Sequence, residues 1–216
     1  PTNLAAVLNT KTNGAIQVAA VNTLGVLYVL EDGNTINSVE DLNGKTIYSA
    51  GQGAVPEYAL NYILDTFDID CDVIYESEHD VVVADLVSNK ADVVLLPEPK
   101  VTAAIKNENA PENLRVALDL NDLWKEACQK NEDDSALYMG CIIVNKNWAK
   151  ENPNELAAFL DEYKTSVETV NNDAETASQL IAKFEIIPKA PLAKAALPNA
   201  NIVFISPTRI YEIRPR

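Results

Sequence analysis

The sequence predicts an α/β fold in which parallel or mixed sheets are flanked by helices and the chain divides into two lobes. Three observations carry this expectation. From Lys45 onward, short apolar β-branched runs alternate with amphipathic segments of helical period. Those runs are apolar on both faces, as a sheet covered on each side requires. A polar stretch, "DGNTINSVEDLNG", separates this region from two earlier strand-like runs, with only Ile36, Val39 and Leu42 to pack.

In chain order, "PTNLAAVLNTK" reads as an entry helix, and "AIQVAAVN" and "GVLYVLED" as strands. The alternating region follows: "KTIYSA" as strand, "PEYALNYILDTF" as helix, "CDVIYE" as strand, "HDVVVADLVSNK" as helix and "ADVVLLP" as strand. Then come "KVTAAIKNE" as helix and "LRVALDL" as strand. Their order predicts a parallel sheet with right-handed crossovers. "NDLWKEACQK" is expected to be helical with Asn121 as its cap, followed by the acidic loop "NEDDS" and the strand "YMGCIIVNK".

Asn152, Pro153 and Glu155 approximate a capping box at the start of the next helix. Leu156, Phe159, Leu160, Tyr163, Val167 and Val170 form its apolar stripe, expected to be core. Asp173 caps a further helix, "IIPKAPLAKAALPNA" is a proline-punctuated helical stretch, and "NIVFIS" is a last strand. The close, "PTRIYEIRPR", holds Arg209, Arg214 and Arg216, three of the four arginines in the chain.

Among 216 residues, 17 Lys and Arg face 32 Asp and Glu, a net charge of -15 that repels nucleic acid and anionic membrane surfaces. No run approaches the ~18 apolar residues of a membrane span. The chain opens on Pro1 without an initiator Met, its one Met being Met139, so a fragment is expected. Cys71, Cys128 and Cys141 form no C-x-x-C, and with His79 as the lone histidine a zinc site is not expected. The thiols read as small hydrophobes and His79 as a helix-start residue.

"GKTIYSAGQGAVPEYALNYIL" holds the one glycine turn that feeds a helix. No lysine follows Gly53 before Lys90, which excludes a Walker A loop, and Pro56 stands where a dinucleotide fingerprint needs its third glycine. What survives is a nest of backbone amides at Gly53, Ala54 and Val55, at the positive end of a helix starting at Pro56. It suits a small anion or the polar edge of a neutral ligand.

"SVEDLNGKTIYSAGQGAVPEYALNYIL", "ADVVLLPEPKVTAAI", "LRVALDLNDLWKEA", "YMGCIIVNK" and "FLDEYKTSVETVNN", in this order, resemble the substrate-binding proteins of ABC importers. The branch is the type II periplasmic-binding group for nitrate, sulfonates, taurine and thiamine-pyrimidine precursors. The resemblance implies an extracytoplasmic solute-binding protein, periplasmic or a cell-surface lipoprotein. It would close on a small polar or anionic organic solute in a cleft between its lobes and hand it to a membrane permease. It implies no cofactor, no catalysis, no nucleic-acid partner and, when complete, a monomer. Lobe I would hold residues 1–38 and 146–216, lobe II residues 39–145, with hinges at "DGNTINSVED" and "CIIVNKN". A signal segment and two βα units would precede Pro1, leaving lobe I incomplete, and the arginine-rich close departs from the family as a frameshift or shortened reading frame would.

Carried onto this sequence, the ligand would meet Thr2, Asn3, Asn22, Thr23, Gly51, Gln52, Gly53, Ala54, Val55, Pro97, Glu98, Met139 and Gly140, with Tyr48, Tyr58 or Tyr138 available to stack on a ring. For Glu98, favourable charge at the start of helix 98–108 is an equal alternative. An enzyme of the same fold, such as a thiamine-pyrimidine synthase, would need clustered histidines and cysteines and a cofactor-binding lysine, which one histidine and three scattered cysteines do not supply. A regulator's ligand-sensing domain would need a DNA-binding arm outside the chain.

Overall fold

The computed structural model describes residues 2–206, so the expectation for Arg209, Arg214 and Arg216 lies outside the described residues. The chain forms two compact units: unit 1 is Pro1–Leu24 with Tyr138–Arg216, and unit 2 is Gly25–Leu137.

Numbered in chain order, unit 1 contains α1 (Thr2–Lys11), β1 (Ile16–Thr23), β7 (Gly140–Asn145), α6 (Lys146–Glu151), α7 (Pro153–Asn172), α8 (Ala174–Lys183), α9 (Ala190–Ala196) and β8 (Ile202–Ile205). Its sheet runs β7-β1-β8, with β1 antiparallel to both neighbours. Unit 2 contains β2 (Leu27–Asp32), β3 (Thr46–Ala50), α2 (Val55–Phe67), β4 (Asp72–Glu76), α3 (His79–Val87), β5 (Val93–Pro97), α4 (Lys100–Ile105), β6 (Leu114–Asp119) and α5 (Leu120–Lys130). Its sheet runs β4-β3-β5-β2-β6.

The mixed α/β architecture expected from the alternation is present, with one departure from a parallel sheet. β3 runs parallel to β4 and β5, but β2 enters antiparallel between β5 and β6. Leu27, Val29 and Leu30 are fully buried there, because β2 has neighbours on both edges and side chains packed on both faces.

This placement moves the unit boundaries. They fall after Leu24 and Leu137, not after residues 38 and 145, because β2 pairs inside the second sheet and β7 pairs with β1 in the first. In this division both segments expected as hinges lie inside a unit. "CIIVN" is the β7 strand, and the polar connector after β2 is held within unit 2 by a buried carboxylate. Glu31, 3% exposed, accepts hydrogen bonds from Thr35 N (2.8 Å), Thr35 Oγ1 (2.6 Å) and Ile36 N (3.2 Å). Arg115 Nη2 meets its other side at 2.8 Å, and Arg115 Nε donates to Gly33 O at 3.1 Å. Ile36 is fully buried beneath this knot.

Helix ends differ from expectation in two places. Asp119, not Asn121, caps α5, its carboxylate accepting from Asn121 N at 2.8 Å. Asn152 makes no cap bond to α7, because its side chain donates instead to Trp148 O at 2.9 Å. Asp173 caps α8 as expected, accepting from Thr176 N. Of the apolar stripe on α7 only Val167 is buried and Phe159 is half exposed, so that face is a partly covered wall rather than core. Of the three cysteines, all free, only Cys128 is buried.

Candidate functional site

The sequence-predicted residues gather into two groups, one on each unit. In unit 2, β3 and β5 are parallel neighbours, paired at Tyr48 and Val94, so the turn after β3 and Pro97-Glu98 after β5 emerge on the same sheet edge. In open α/β sheets ligands bind outside such carboxyl ends.

The turn is shaped by its glycines. Gly51 (φ 87°) and Gly53 (φ 75°) both hold the left-handed region that side chains resist. A Cβ on Gly51 would also lie 3.1 Å from Pro56 Cγ, whereas one on Gly53 would meet nothing within 4 Å. α2 begins at Val55 behind Ala54, one residue ahead of the expected Pro56. The amides expected to face a ligand are in part already used: Ala54 N donates to Gly51 O at 3.0 Å, and Gly53 N to Glu57 Oε2 at 2.5 Å.

Glu98 is buried and takes its helix-start role, its carboxylate accepting from Thr102 N (3.2 Å) and Thr102 Oγ1 (2.8 Å) in the first turn of α4. Tyr28 stands one pair inside this edge, opposite Asp119. Burial, with Asp119, Glu98 and Asp122 adding negative potential, pushes its hydroxyl up to about 12. Burial, then Asp122, also raises the Asp119 carboxyl despite its bond from Asn121. This edge of unit 2 is electronegative.

In unit 1 the group forms around the end of β1. Met139 N donates to Thr23 O (3.0 Å), Thr2 N to Met139 O (3.1 Å) and Thr2 Oγ1 to Tyr138 O (2.6 Å). Asn3 follows in the first turn of α1. Thr23 Oγ1 donates to Asn22 Oδ1 at 3.2 Å, and Asn22 Nδ2 to Tyr163 Oη at 3.1 Å. Gly140 is glycine for space: a Cβ there would stand 2.4 Å from Asn22 Oδ1 and 2.8 Å from Thr23 Oγ1. None of these side chains is charged.

Tyr163 is the member that sequence reasoning missed. It sits in an apolar helical stripe with its ring near Phe159 and Phe204, and only its phenol marks a polar purpose. Of the tyrosines expected to stack on a ligand, Tyr48 packs against unit 2's core with Lys90 Nζ 5.6 Å from its ring centre, and Tyr58 is exposed.

The groups that nucleophilic chemistry would need are poorly placed for it. Burial raises all three thiols, Cys71 to about 11 with Asp72 and Asp70 contributing. Burial, then Lys100, lowers His79 against the opposing pull of Asp80, so its imidazole is neutral at pH 7. Among the described residues no three His, Cys, Asp or Glu side chains could together hold a metal ion, and no helix is long and apolar enough to cross a membrane.

The family model described as NMT1/THI5 like matches residues 14–177. The chain belongs to that family. No curated protein sequence matches it. Among solved structures it is similar to an ABC transporter protein from Parabacteroides distasonis, with TM-score 0.74 and 16% identity over 95% of this chain and 66% of that one. It is similar to the periplasmic aliphatic sulphonate binding protein SsuA from Escherichia coli (TM-score 0.68, 15% identity, 92% of this chain, 64% of that one). It is also similar to the alkanesulfonate-binding protein SsuA from Xanthomonas axonopodis pv. citri, solved bound to MOPS (TM-score 0.66, 12% identity, 96% and 68%). These likenesses show the fold expected from the sequence, that of ABC-importer solute-binding proteins. The chain spans about two thirds of the length of these structures.

Proposed function

We propose that this protein is the extracytoplasmic solute-binding component of an ABC importer, which captures a small polar or anionic organic solute and delivers it to a membrane permease. The observation that carries the reading is family membership over residues 14–177, joined to a fold shared with importer binding proteins along more than nine-tenths of the chain. The residues assigned to the solute are Thr2, Asn3, Asn22, Thr23, Met139 and Gly140 in unit 1. In unit 2 they are Gly51, Gln52, Gly53, Ala54, Val55, Pro97 and Glu98. They supply amides, hydroxyls and carboxamides for binding, and no activated nucleophile or paired acid and base for catalysis.

The site works as a receptor, without cofactor or nucleic-acid partner, in a protein resident in the periplasm or on the cell surface. A thermal-shift screen with sulfonates, nitrate, amines and pyrimidines tests this, because a ligand that binds only the folded state raises the melting point by mass action. We expect at least one class to raise it and to be recovered unchanged. No shift with any class, or conversion of a bound compound, would overturn the reading.

A further inference from the structure

The side-chain hydrogen bonds at the end of β1 run in one direction. Thr23 Oγ1 donates to Asn22 Oδ1 at 3.2 Å, and Asn22 Nδ2 donates to Tyr163 Oη at 3.1 Å. Gly140 orients the carboxamide between them. The position that a Cβ would take on Gly140 lies 2.4 Å from Asn22 Oδ1, so a Cα–H of the glycine points at that oxygen. An oxygen accepts such a C–H contact, whereas an amide NH2 in its place would set hydrogen against hydrogen. The carboxamide nitrogen is thereby turned to Tyr163.

Tyr163 is itself held in place by its neighbours. Its half-buried ring on α7 lies 6.0 Å from that of Phe159 and 6.3 Å from that of Phe204 in β8, between ring centres. Because its oxygen already accepts from Asn22, the phenol proton is left to be donated, and among the described residues it meets no acceptor. The same holds for the second hydrogen on Asn22 Nδ2. Two donors therefore end the chain of bonds, their heavy atoms 3.1 Å apart. Partly desolvated donors in this condition favour any group that supplies them with an acceptor.

Resting on the transport reading above, we infer that Tyr163 is a specificity-determining residue of unit 1, whose hydroxyl donates to an acceptor oxygen of the solute. Asn22 fixes the direction of that donation and adds its second N–H. The group received is a sulfonyl, carboxylate or carbonyl oxygen, and an ammonium group meets only donors there.

Three small probes stand in for the solute in magnetic-resonance titrations of the full chain. Methanesulfonate is an anionic acceptor, dimethyl sulfone a neutral one with the same sulfonyl oxygens, and methylammonium a donor alone. The side-chain amide of Asn22 should shift with one or both acceptors and not with methylammonium, and the tighter acceptor tells whether the solute group is charged. Tyr163→Phe keeps the ring and removes the proton. It should weaken methanesulfonate about tenfold and dimethyl sulfone less, with a melting temperature close to that of the parent. Equal titrations in parent and variant, with stability alone reduced, would make the bond an anchor of α7 on β1 and overturn the inference. A response of Asn22 to methylammonium as large as to the acceptors overturns it too, as does silence toward all three, and both are read in the parent without any variant. None of these outcomes touches the transport reading, which stands or falls on the solute screen.

Discussion

Glu31 illustrates how a buried charge in this protein is stabilised. Burial alone would raise its carboxyl, but hydrogen bonds from Thr35 and Ile36 and the guanidinium of Arg115 outweigh that and hold it below its ordinary 4.5. A carboxyl depressed in the folded state contributes stability that is present above 4.5 and is lost as the pH falls through its folded value. Urea unfolding from neutral to acid pH should therefore show a loss that sets in as the pH falls below 4.5 and continues through the lower folded value, and Arg115→Ala should flatten it. At neutral pH that variant should cost roughly 3 kcal/mol, because it strands a carboxylate that is 3% exposed. An Arg115→Ala protein as stable as the parent would show that Glu31 finds compensation elsewhere. Nothing at the sequence level pointed to this pair: Glu31 closes an apolar strand, and its partner lies 84 positions away. The glycine turn was legible because φ near +80° is written in the residue type, whereas Glu57 as its occupant was not, since a glutamate in a first helical turn reads as dipole compensation alone.

The connector after β2 is the element where sequence and structure part most clearly. Its run of Asp, Gly, Asn, Thr and Ser reads as a link between bodies, and local polarity is all that a single sequence offers on the point. The structure instead ties Thr35 N and Ile36 N to a buried carboxylate and buries Ile36 entirely. Backbone amides held this way exchange only on larger openings. Native-state hydrogen exchange should show Thr35 and Ile36 protected as strongly as the strands of unit 2, and Ile36→Ala should destabilise by about 2–5 kcal/mol. Exchange as fast as in the exposed loop at Asp133 and Asp134 would restore the hinge reading. By contrast the alternating elements from β3 to α5 were legible throughout, because each combines a period, a length and a turn signal that agree. The antiparallel entry of β2 was not, since strand direction depends on which partners a strand meets and its own residues do not encode that choice.

At the scale of the molecule the two units are built on unequal cores. Of the 39 buried hydrophobic residues among those described, 30 belong to unit 2, and the nine in unit 1 are seven alanines and two valines, Val21 and Val167. The surface shows the converse: of the 13 large exposed hydrophobics among the described residues, nine, including Phe184 and Ile186, lie in unit 1. Burying a leucine or isoleucine contributes about 1.5–3 kcal/mol and an alanine far less, so apolar stabilisation is concentrated in residues 25–137. That segment is continuous, includes a five-stranded sheet with helices, and falls in the size range of an autonomous domain. Expressed alone it should unfold cooperatively in urea and keep near-native resistance to protease, whereas in the whole chain limited proteolysis should begin within unit 1. The apolar surface there also predicts dye binding and self-association that substitution of Phe184 and Ile186 by serine reduces. If residues 25–137 alone are unfolded, the buried residues of unit 2 do not suffice for its stability and cooperativity extends over the whole chain.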